Sequence, residues 1–336
     1  MNQRKTLSFY RYTPIVDPVA FKQQLQSEWL DFQVLGRCYL STEGINAQVS
    51  VPLSLQTAFE AAVREHFPGI AFKRALEENM ISFQKLKIKV RTKIVADGLD
   101  DTSFDVADVG RHLSAKEFHE AMNSEKTVVV DMRNHYECEV GHFDGAYLPK
   151  ANTFREALPE VTEFLQDKKE HKILLYCTGG IRCEKASSWL RHQGFQDVNQ
   201  LHGGIIDYAQ QIQQEGLESR YKGMNFVFDD RLGERVTEDV IATCHQCQKP
   251  WDLHSNCQNP GCNLLFLQCP DCAEEFDSCC SYQCRDIYRL PKEEQVRWQN
   301  EKEKSSPKFL RSRQRPDLIA LKHEYVNQRE NQQRFS

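Results

Sequence analysis

The sequence predicts a mixed α/β protein. A central, mainly parallel sheet is preceded by a smaller α+β unit and followed by a cysteine-rich metal-binding module. Three observations predict this. Short apolar runs alternate with helical patterns over residues 113–217, as in sheets covered by helices on both faces. Residues 5–95 follow the order βαββαβ. Nine of the 13 cysteines fall between Cys244 and Cys284. At 336 residues the chain is long enough for two or three domains, each with its own core.

The first unit opens with "TLSFYRY", a strand pattern, followed by a helix over Val19–Leu30 with Phe21, Leu25 and Trp29 at helical spacing. "GRCYLSTEGINAQVSV" reads as two strands around a turn. Ser54–His66 is a second helix with Leu55, Phe59 and Val63 on one face, and "MISFQKLKIKVRTKIV" is the last strand pattern. This order predicts a ferredoxin-like α+β domain over residues 1–96. The acidic "DGLDDTSFD" begins a connecting segment, residues 97–112.

The next domain is expected over residues 113–220. Ser114 is the expected N-cap of a short helix, and "KTVVVDMR" and "KILLYC" are strands buried on both faces. Helices are expected over Thr153–Gln166 and Arg182–His192, the latter closed by Gly194. Residues 221–290 form the metal module, and residues 291–336 a basic, partly flexible tail. No apolar run approaches the roughly 20 residues that span a bilayer, which argues against a membrane partner. The start "MNQRKTLSFYRYTP" lacks the apolar core of a secretory signal, so a cytoplasmic location is expected.

The chemistry is expected at "LYCTGGIRCEKAS", residues 175–187. Cys177 ends a strand of a parallel sheet, where ligands bind. Thr178, Gly179, Gly180, Ile181 and Arg182 complete the loop before a helix. The glycines permit backbone N–H groups to turn inward as an anion nest, and the helix start adds positive potential. Together these favour a thiolate over the ordinary thiol of pKa about 8.5. An ordinary core cysteine has no use for a Gly–Gly cradle, so Cys177 reads as a nucleophile. Arg182 either closes the loop or holds an anionic substrate group. Cys183 reads as a resolving thiol or, in the plainer reading, as packing at the helix start. Asp131 and Arg133 read as a supporting pair, and His142 as structural.

"VVVDMRNHYECEVGHFDGA", "LLYCTGGIRCEKASSWLRHQGF" and "VNQLHGGI" resemble a rhodanese domain, with Cys177 in the position of its active-site cysteine and Cys177–Arg182 as its six-residue loop. In sulfurtransferases of that family the loop holds a persulfide. With the ferredoxin-like front and the tail motifs "CHQC", "LLFLQCPDC" and "CCSYQC", nearly the whole chain resembles the bacterial tRNA uridine(34) hydroxylase family. The resemblance implies oxygen-dependent formation of 5-hydroxyuridine at the wobble position. Molecular oxygen would be the co-substrate, the tRNA anticodon stem-loop the partner, and Cys177 essential, as thiolate or persulfide. A sulfurtransferase is the alternative that the loop alone supports. No flavin or nucleotide fingerprint is readable, and no obligate protein partner.

Cys244-x2-Cys247 and Cys269-x2-Cys272 have the spacing of a tetrahedral four-cysteine zinc site. Cys257, Cys262, Cys279, Cys280 and Cys284 supply a second, with one of the adjacent pair Cys279 and Cys280 left over; Cys257, Cys262, Cys280 and Cys284 are the assigned set. Two structural zinc ions are expected, with an iron–sulfur cluster as the alternative.

The net charge of −5 is unevenly spread. In "KLKIKVRTK", Lys85, Lys87, Lys89, Arg91 and Lys93 recur with period two and would share one face of a strand. Five like charges without an interleaved acid read as a phosphate-tracking stripe. Lys308, Arg311, Arg313 and Arg315 mark the tail as either a disordered RNA-contacting arm or a solubilising end.

Overall fold

The computed structural model describes residues 3–76, 81–303 and 316–334. Lys308, Arg311, Arg313 and Arg315 lie outside the described residues. The chain divides into two compact units, Met1–Glu238 and Asp239–Ser336.

The first unit begins with β1 (Arg4–Tyr12), α1 (Pro18–Asp31), β2 (Leu35–Ser41), β3 (Gly44–Pro52), α2 (Gln56–His66), β4 (Lys73–Arg74) and β5 (Leu86–Val90). The α1 helix starts where it does because Asp17 accepts hydrogen bonds from the N–H groups of Val19 and Ala20, both at 2.9 Å, ahead of Pro18 at the first helical position. Its Leu25 and Trp29 are buried, and Trp29 packs edge-on against Phe9 and Phe59. The sheet runs β4-β1-β3-β2-β5.

That order contains the expected ferredoxin-like 4-1-3-2 arrangement but corrects one assignment. The basic strand is not the closing strand of the motif. It is a fifth strand, β5, running parallel to β2 on the far edge. The closing strand is β4, two residues that pair with Leu7 and Ser8. A two-residue strand has no periodicity to read, whereas parity identifies a strand without saying which neighbour it takes.

The central domain contains β6 (Arg111–Leu113), α3 (Ala115–Ala121), β7 (Thr127–Asp131), α4 (His135–Glu139), β8 (Gly141–Phe143), α5 (Phe154–Leu165), β9 (Lys172–Tyr176), α6 (Ile181–His192), β10 (Asp197–Leu201) and α7 (Gly204–Glu215). Its main sheet, β6-β10-β9-β7, is parallel throughout. Ser114 caps α3 with Glu117 in a reciprocal capping box. Separate apolar clusters lie on the sheet's two faces, around Leu175 on one and Leu174 on the other. After α7 the chain forms β11 (Tyr221–Asn225) and β12 (Glu234–Arg235), and β11 pairs with β8. Residues 221–238 therefore belong to this unit rather than to the metal module in which the sequence placed them.

The acidic connecting segment is a clasp. Asp97, 2% exposed, and Asp101 hold the Lys93 ammonium at 2.7 and 2.9 Å. Asp101 also takes Lys185 of α6 at 2.8 Å, and Lys185 reaches Glu43 at 2.9 Å. Three carboxylates thus tie the front sheet to the helix that follows the cysteine loop.

The second unit is short of regular structure. It comprises β13 (His254–Asn256) paired with β14 (Leu265–Leu267), then α8 (Pro270–Glu275), α9 (Tyr282–Tyr288), α10 (Lys292–Glu303) and α11 (Leu318–Arg334). Its apolar clusters are built largely of cysteine. The described part of the tail is anchored: Leu318 is buried among Cys257, Cys262 and Cys284, and Lys322 pairs with Glu275 at 2.8 Å.

Candidate active site and metal centres

The strand β9 carries its apolar run straight into Cys177, which is fully buried. The chain then turns through Thr178, Gly179 and Gly180 into α6. Gly180 sits at φ 99°, and a Cβ there would lie 2.8 Å from the Tyr10 hydroxyl, so glycine is required on both counts. Its N–H donates to the Cys177 Sγ at 3.1 Å. The first turn of α7 closes the loop from behind: Ile205 and Ile206 N–H donate to the carbonyls of Cys177 and Thr178 at 3.0 and 3.2 Å. Gly204 allows that approach, since a Cβ would fall 2.5 Å from the Cys177 oxygen.

Burial alone would push the Cys177 thiol up. It is outweighed by a hydrogen bond from the Cys183 thiol, by the Arg182 guanidinium, and by the backbone N–H groups of Cys183 and Arg182, which bring the pKa down to about 5. Cys177 is therefore a thiolate at neutral pH. Cys183 takes the opposite sign: burial and the neighbouring Cys177 hold it well above the ordinary thiol range. The Cys183 side chain packs at the start of α6, with its thiol hydrogen-bonded to Cys177.

Arg182 closes the loop. Its two terminal nitrogens grip Glu137 at 2.6 and 2.8 Å in a buried bidentate pair, and Nη2 donates to the Thr178 hydroxyl at 3.2 Å. Glu137 was not singled out from the sequence. It stands three positions after Asn134 and also completes a capping box on α4, a local role that hides the distant one. Asp131 and Arg133 form a second fully buried pair, 2.6 Å apart, with Arg133 also donating to the Gly141 carbonyl at 2.6 Å. They brace the β7–β8 corner and do not line the cleft. His142 contacts the Cys138 carbonyl at 2.8 Å, which makes it structural as well.

Cys177 lies at a cleft of about 320 Å³, near the lower end of the roughly 300–1,000 Å³ found for small-molecule sites. One wall is the loop with Ile206, Val227, Phe228 and Arg231. Arg231 is held by Asp229 at 2.6 Å and by Glu234. The other wall is the face of the front sheet turned away from its own core: Ser8, Tyr10, Arg37, Tyr39, Asn46, Gln48 and Lys73. That this sheet covers the cysteine is not readable from the sequence, because the contact is long-range and made by polar residues.

Strand register joins the basic stripe to that wall. Lys87 is opposite Arg37, Arg37 opposite Gln48, Gln48 opposite Ser8, and Ser8 opposite Lys73. A row of polar side chains thus crosses the sheet from its exposed edge to the cleft. Lys85, Lys87, Lys89 and Arg91 are exposed, and among the described residues none makes an ion pair. Lys93 departs from the expectation. The strand ends at Val90, the chain turns, and Lys93 is spent on Asp97 and Asp101. Arg37, unmarked in the sequence, takes its place beside Lys87.

In the second unit the sulfurs of Cys244, Cys247, Cys269 and Cys272 gather in one group, and those of Cys257, Cys262, Cys280 and Cys284 in another, each within 4.8 Å. Cys279 lies outside both groups. Each group has the donor set and compactness to hold a metal ion.

Family comparisons divide the chain into three matched segments, the third of which crosses the boundary between the two compact units. Residues 4–94 match the UPF0176 acylphosphatase like domain, residues 114–211 the rhodanese-like domain, and residues 222–285 the rhodanase C-terminal family. Among curated relatives, a tRNA uridine(34) hydroxylase of Leptospira interrogans is 51% identical over 95% of this chain and 88% of its own. The proteins of that name from Cronobacter sakazakii and Photorhabdus laumondii are 50% and 47% identical, each over 93% of this chain and 90% of theirs. With identity of this degree along almost its whole length, the chain belongs to the tRNA uridine(34) hydroxylase family.

Proposed function

We propose that the protein hydroxylates C5 of uridine 34 in tRNA, using molecular oxygen as co-substrate and Cys177 as the nucleophile. The observation that carries this reading is a thiolate with a pKa of about 5 facing a cleft of base-sized volume. The wobble base lies in a single-stranded loop, so it enters such a cleft without opening a duplex.

The Cys177 sulfur adds to C6 of uracil, and the C5=C6 electron pair moves through C5 onto O4. C5 of this enolate then gives its pair to one atom of dioxygen. Two electrons from a cellular reductant, a thiol by class, release the distal oxygen as water. Loss of the C5 proton and departure of the thiolate from C6 leave 5-hydroxyuridine. In this reading the exposed cations of β5 and Arg37 track RNA phosphates, and Asp131 and Arg133 support the loop from outside.

The two cysteine groups are assigned to structural zinc. With Zn–S bonds of about 2.3 Å, a regular tetrahedron separates its sulfurs by about 3.8 Å. Cys247 and Cys269 are 3.6 Å apart, Cys262 and Cys280 3.7 Å, and Cys280 and Cys284 3.6 Å. Spacings this short suit one ion per group and leave no space for an iron–sulfur core. Bound there, zinc would cross-link a unit that has little apolar core of its own.

Nucleoside mass spectrometry of tRNA from cells lacking the gene tests the reading. Wild-type complementation is expected to restore 5-hydroxyuridine, and Cys177→Ala to leave it at the deletion level with metal content unchanged. A Cys177→Ala strain with normal 5-hydroxyuridine would remove the cysteine from the chemistry. Loss of thiolated nucleosides instead would make the protein a sulfurtransferase.

A further inference from the structure

A lysine in the wall opposite Cys177 has, among the described residues, no carboxylate partner and only an aromatic ring beside its ammonium. Lys73 is only 5% exposed, yet among the described residues its ammonium makes no hydrogen bond and no ion pair. Its stem lies over Gly179, with Cδ 3.7 Å from where a Cβ would sit, and its Nζ rests 4.3 Å from the centre of the Tyr10 ring. The other buried cations around the loop are matched: Arg182 by Glu137, Lys185 by Asp101 and Glu43, and Arg231 by Asp229, while Arg37 on the same wall is exposed to solvent. The nearest acids act on Lys73 only from a distance. Asp207 is the strongest of them, and Glu184 is already occupied by the Tyr10 hydroxyl at 3.0 Å and His112 at 2.9 Å.

Burying a cation without a counter-ion is unfavourable. Folding imposes it here through a short strand that places Lys73 beside Ser8, at the buried end of the polar row that crosses the sheet. Burial also pulls the Lys73 pKa down, opposed by the charges of Asp207, Cys177 and Glu184. A site that keeps such a charge facing a thiolate across a cleft is built to receive a second negative charge between them.

We propose that Lys73 is a further catalytic residue, donating a hydrogen bond to O4 of the uracil as Cys177 adds to C6. This rests on the addition mechanism given above. In that step the C6–S bond forms, the C5=C6 π bond breaks, and the displaced pair comes to rest on O4, where a neutral carbonyl becomes an enolate oxygen. A fixed cation strengthens its interaction as that charge grows, and so acts on the transition state more than on the bound base. Lys73 keeps its proton throughout and is ready for the next turnover. Position also favours the base over the backbone: phosphates can follow the exposed edge at Lys87 and Arg37, whereas Lys73 lies at the buried end of the row.

An anticodon stem-loop with 5-fluorouridine at position 34 separates the possibilities. Fluorine cannot leave C5 as a proton does, so addition by Cys177 should leave a persistent covalent adduct, visible on a denaturing gel with the full-length, metal-loaded chain. Lys73→Met keeps the apolar stem and is expected to slow adduct formation about 10²-fold or more, with RNA affinity and its salt dependence retained. Lys73→Arg should recover part of the rate. The Met variant should also unfold at a higher temperature than the parent, since it removes an unmatched buried charge. A purely structural lysine would give the opposite shift. Equal adduct rates in the parent and Lys73→Met would overturn the proposal and leave Cys177 addition standing. A normal rate at saturating RNA with a salt slope lower by about 1 would make Lys73 a phosphate contact instead. No adduct from the parent protein, while it still hydroxylates unmodified RNA, would remove the addition mechanism and this role with it.

Discussion

Cys177 and all the cysteines of the second unit except Cys247 are buried, and their surroundings differ in a way that separates two uses of one residue. Around Cys177 a single sulfur collects donors: the Gly180 N–H at 3.1 Å, the Cys183 thiol, the amides that open α6, and the Arg182 charge. Around Cys280, by contrast, the nearest groups are other sulfurs, Cys262 at 3.7 Å and Cys284 at 3.6 Å. The protein itself stabilises one thiolate. Four clustered thiolates need a dication to do the same. Cysteine burial therefore says little about role, and the chemistry of the neighbours says most of it.

The largest effect should follow from removing that dication. Metal analysis of the purified chain is expected to give two zinc ions. Their withdrawal by a strong chelator at neutral pH should unfold residues 239–303, read as protease sensitivity confined to that unit. Structural zinc binding is worth on the order of 10 kcal/mol or more in small metal-folded units, far beyond what their sparse apolar clusters supply. Cys280→Ser should lose one zinc and keep the other. A chain that stays protease-resistant after losing both ions would show that the sulfur groups are packed thiols, and the contrast with Cys177 would vanish.

An effect of intermediate size is expected at the loop. Removing Arg182 alone would leave Glu137 buried without a partner, so the informative variant is Arg182→Met with Glu137→Gln. It should raise the Cys177 pKa from about 5. If the pKa returned fully to about 8.5, only about 3% of the sulfur would be thiolate at pH 7, a loss of roughly 30-fold in alkylation rate by iodoacetamide. The sign carries into stability. A thiol whose folded pKa is depressed contributes stability that is complete above its unfolded pKa and disappears as pH falls through the folded one. Between about pH 8.5 and pH 5 the parent should lose stability to this group, and the double variant should lose less. An unchanged pH profile of alkylation would assign the thiolate to the Cys183 thiol and the backbone amides without Arg182.

What the sequence made legible follows the same division. The Cys177 loop and the Cys-x2-Cys knuckles are contiguous, so their function is written in adjacent residues. Glu137 was missed because its capping-box position explains it locally, although its carboxylate works 45 positions away on Arg182. Lys73 was missed because β4 is two residues long and carries no pattern. Lys93 was over-read: its parity fits the stripe, but the strand ends three residues before it. The ferredoxin-like topology was readable from element order. The use of that sheet's polar face as a wall of the cleft was not, since polar alternation is the ordinary mark of a solvated face.

The smallest effect concerns how RNA reaches the reactive cysteine rather than the reaction there. Lys87 and Lys89 are exposed on β5 and make no ion pair among the described residues, and Lys87 sits in register with Arg37 on the row that leads to the cleft. Reversing both to Glu should weaken tRNA binding and lower the slope of log K against log salt by about 1.4–1.8, at 0.7–0.9 per lost phosphate contact. Zinc content and the pH profile of Cys177 alkylation should stay at parental values, because the edge strand touches neither centre. Lys93→Met is the matched control. Its ammonium is already held by Asp97 at 2.7 Å and Asp101 at 2.9 Å, so the variant should cost stability and leave the salt slope alone. Were Lys93→Met to lower the slope as much as either reversal, the clasp would have to open on binding RNA. The phosphate track would then run past the end of β5 toward Lys185 and the start of α6, instead of across the sheet.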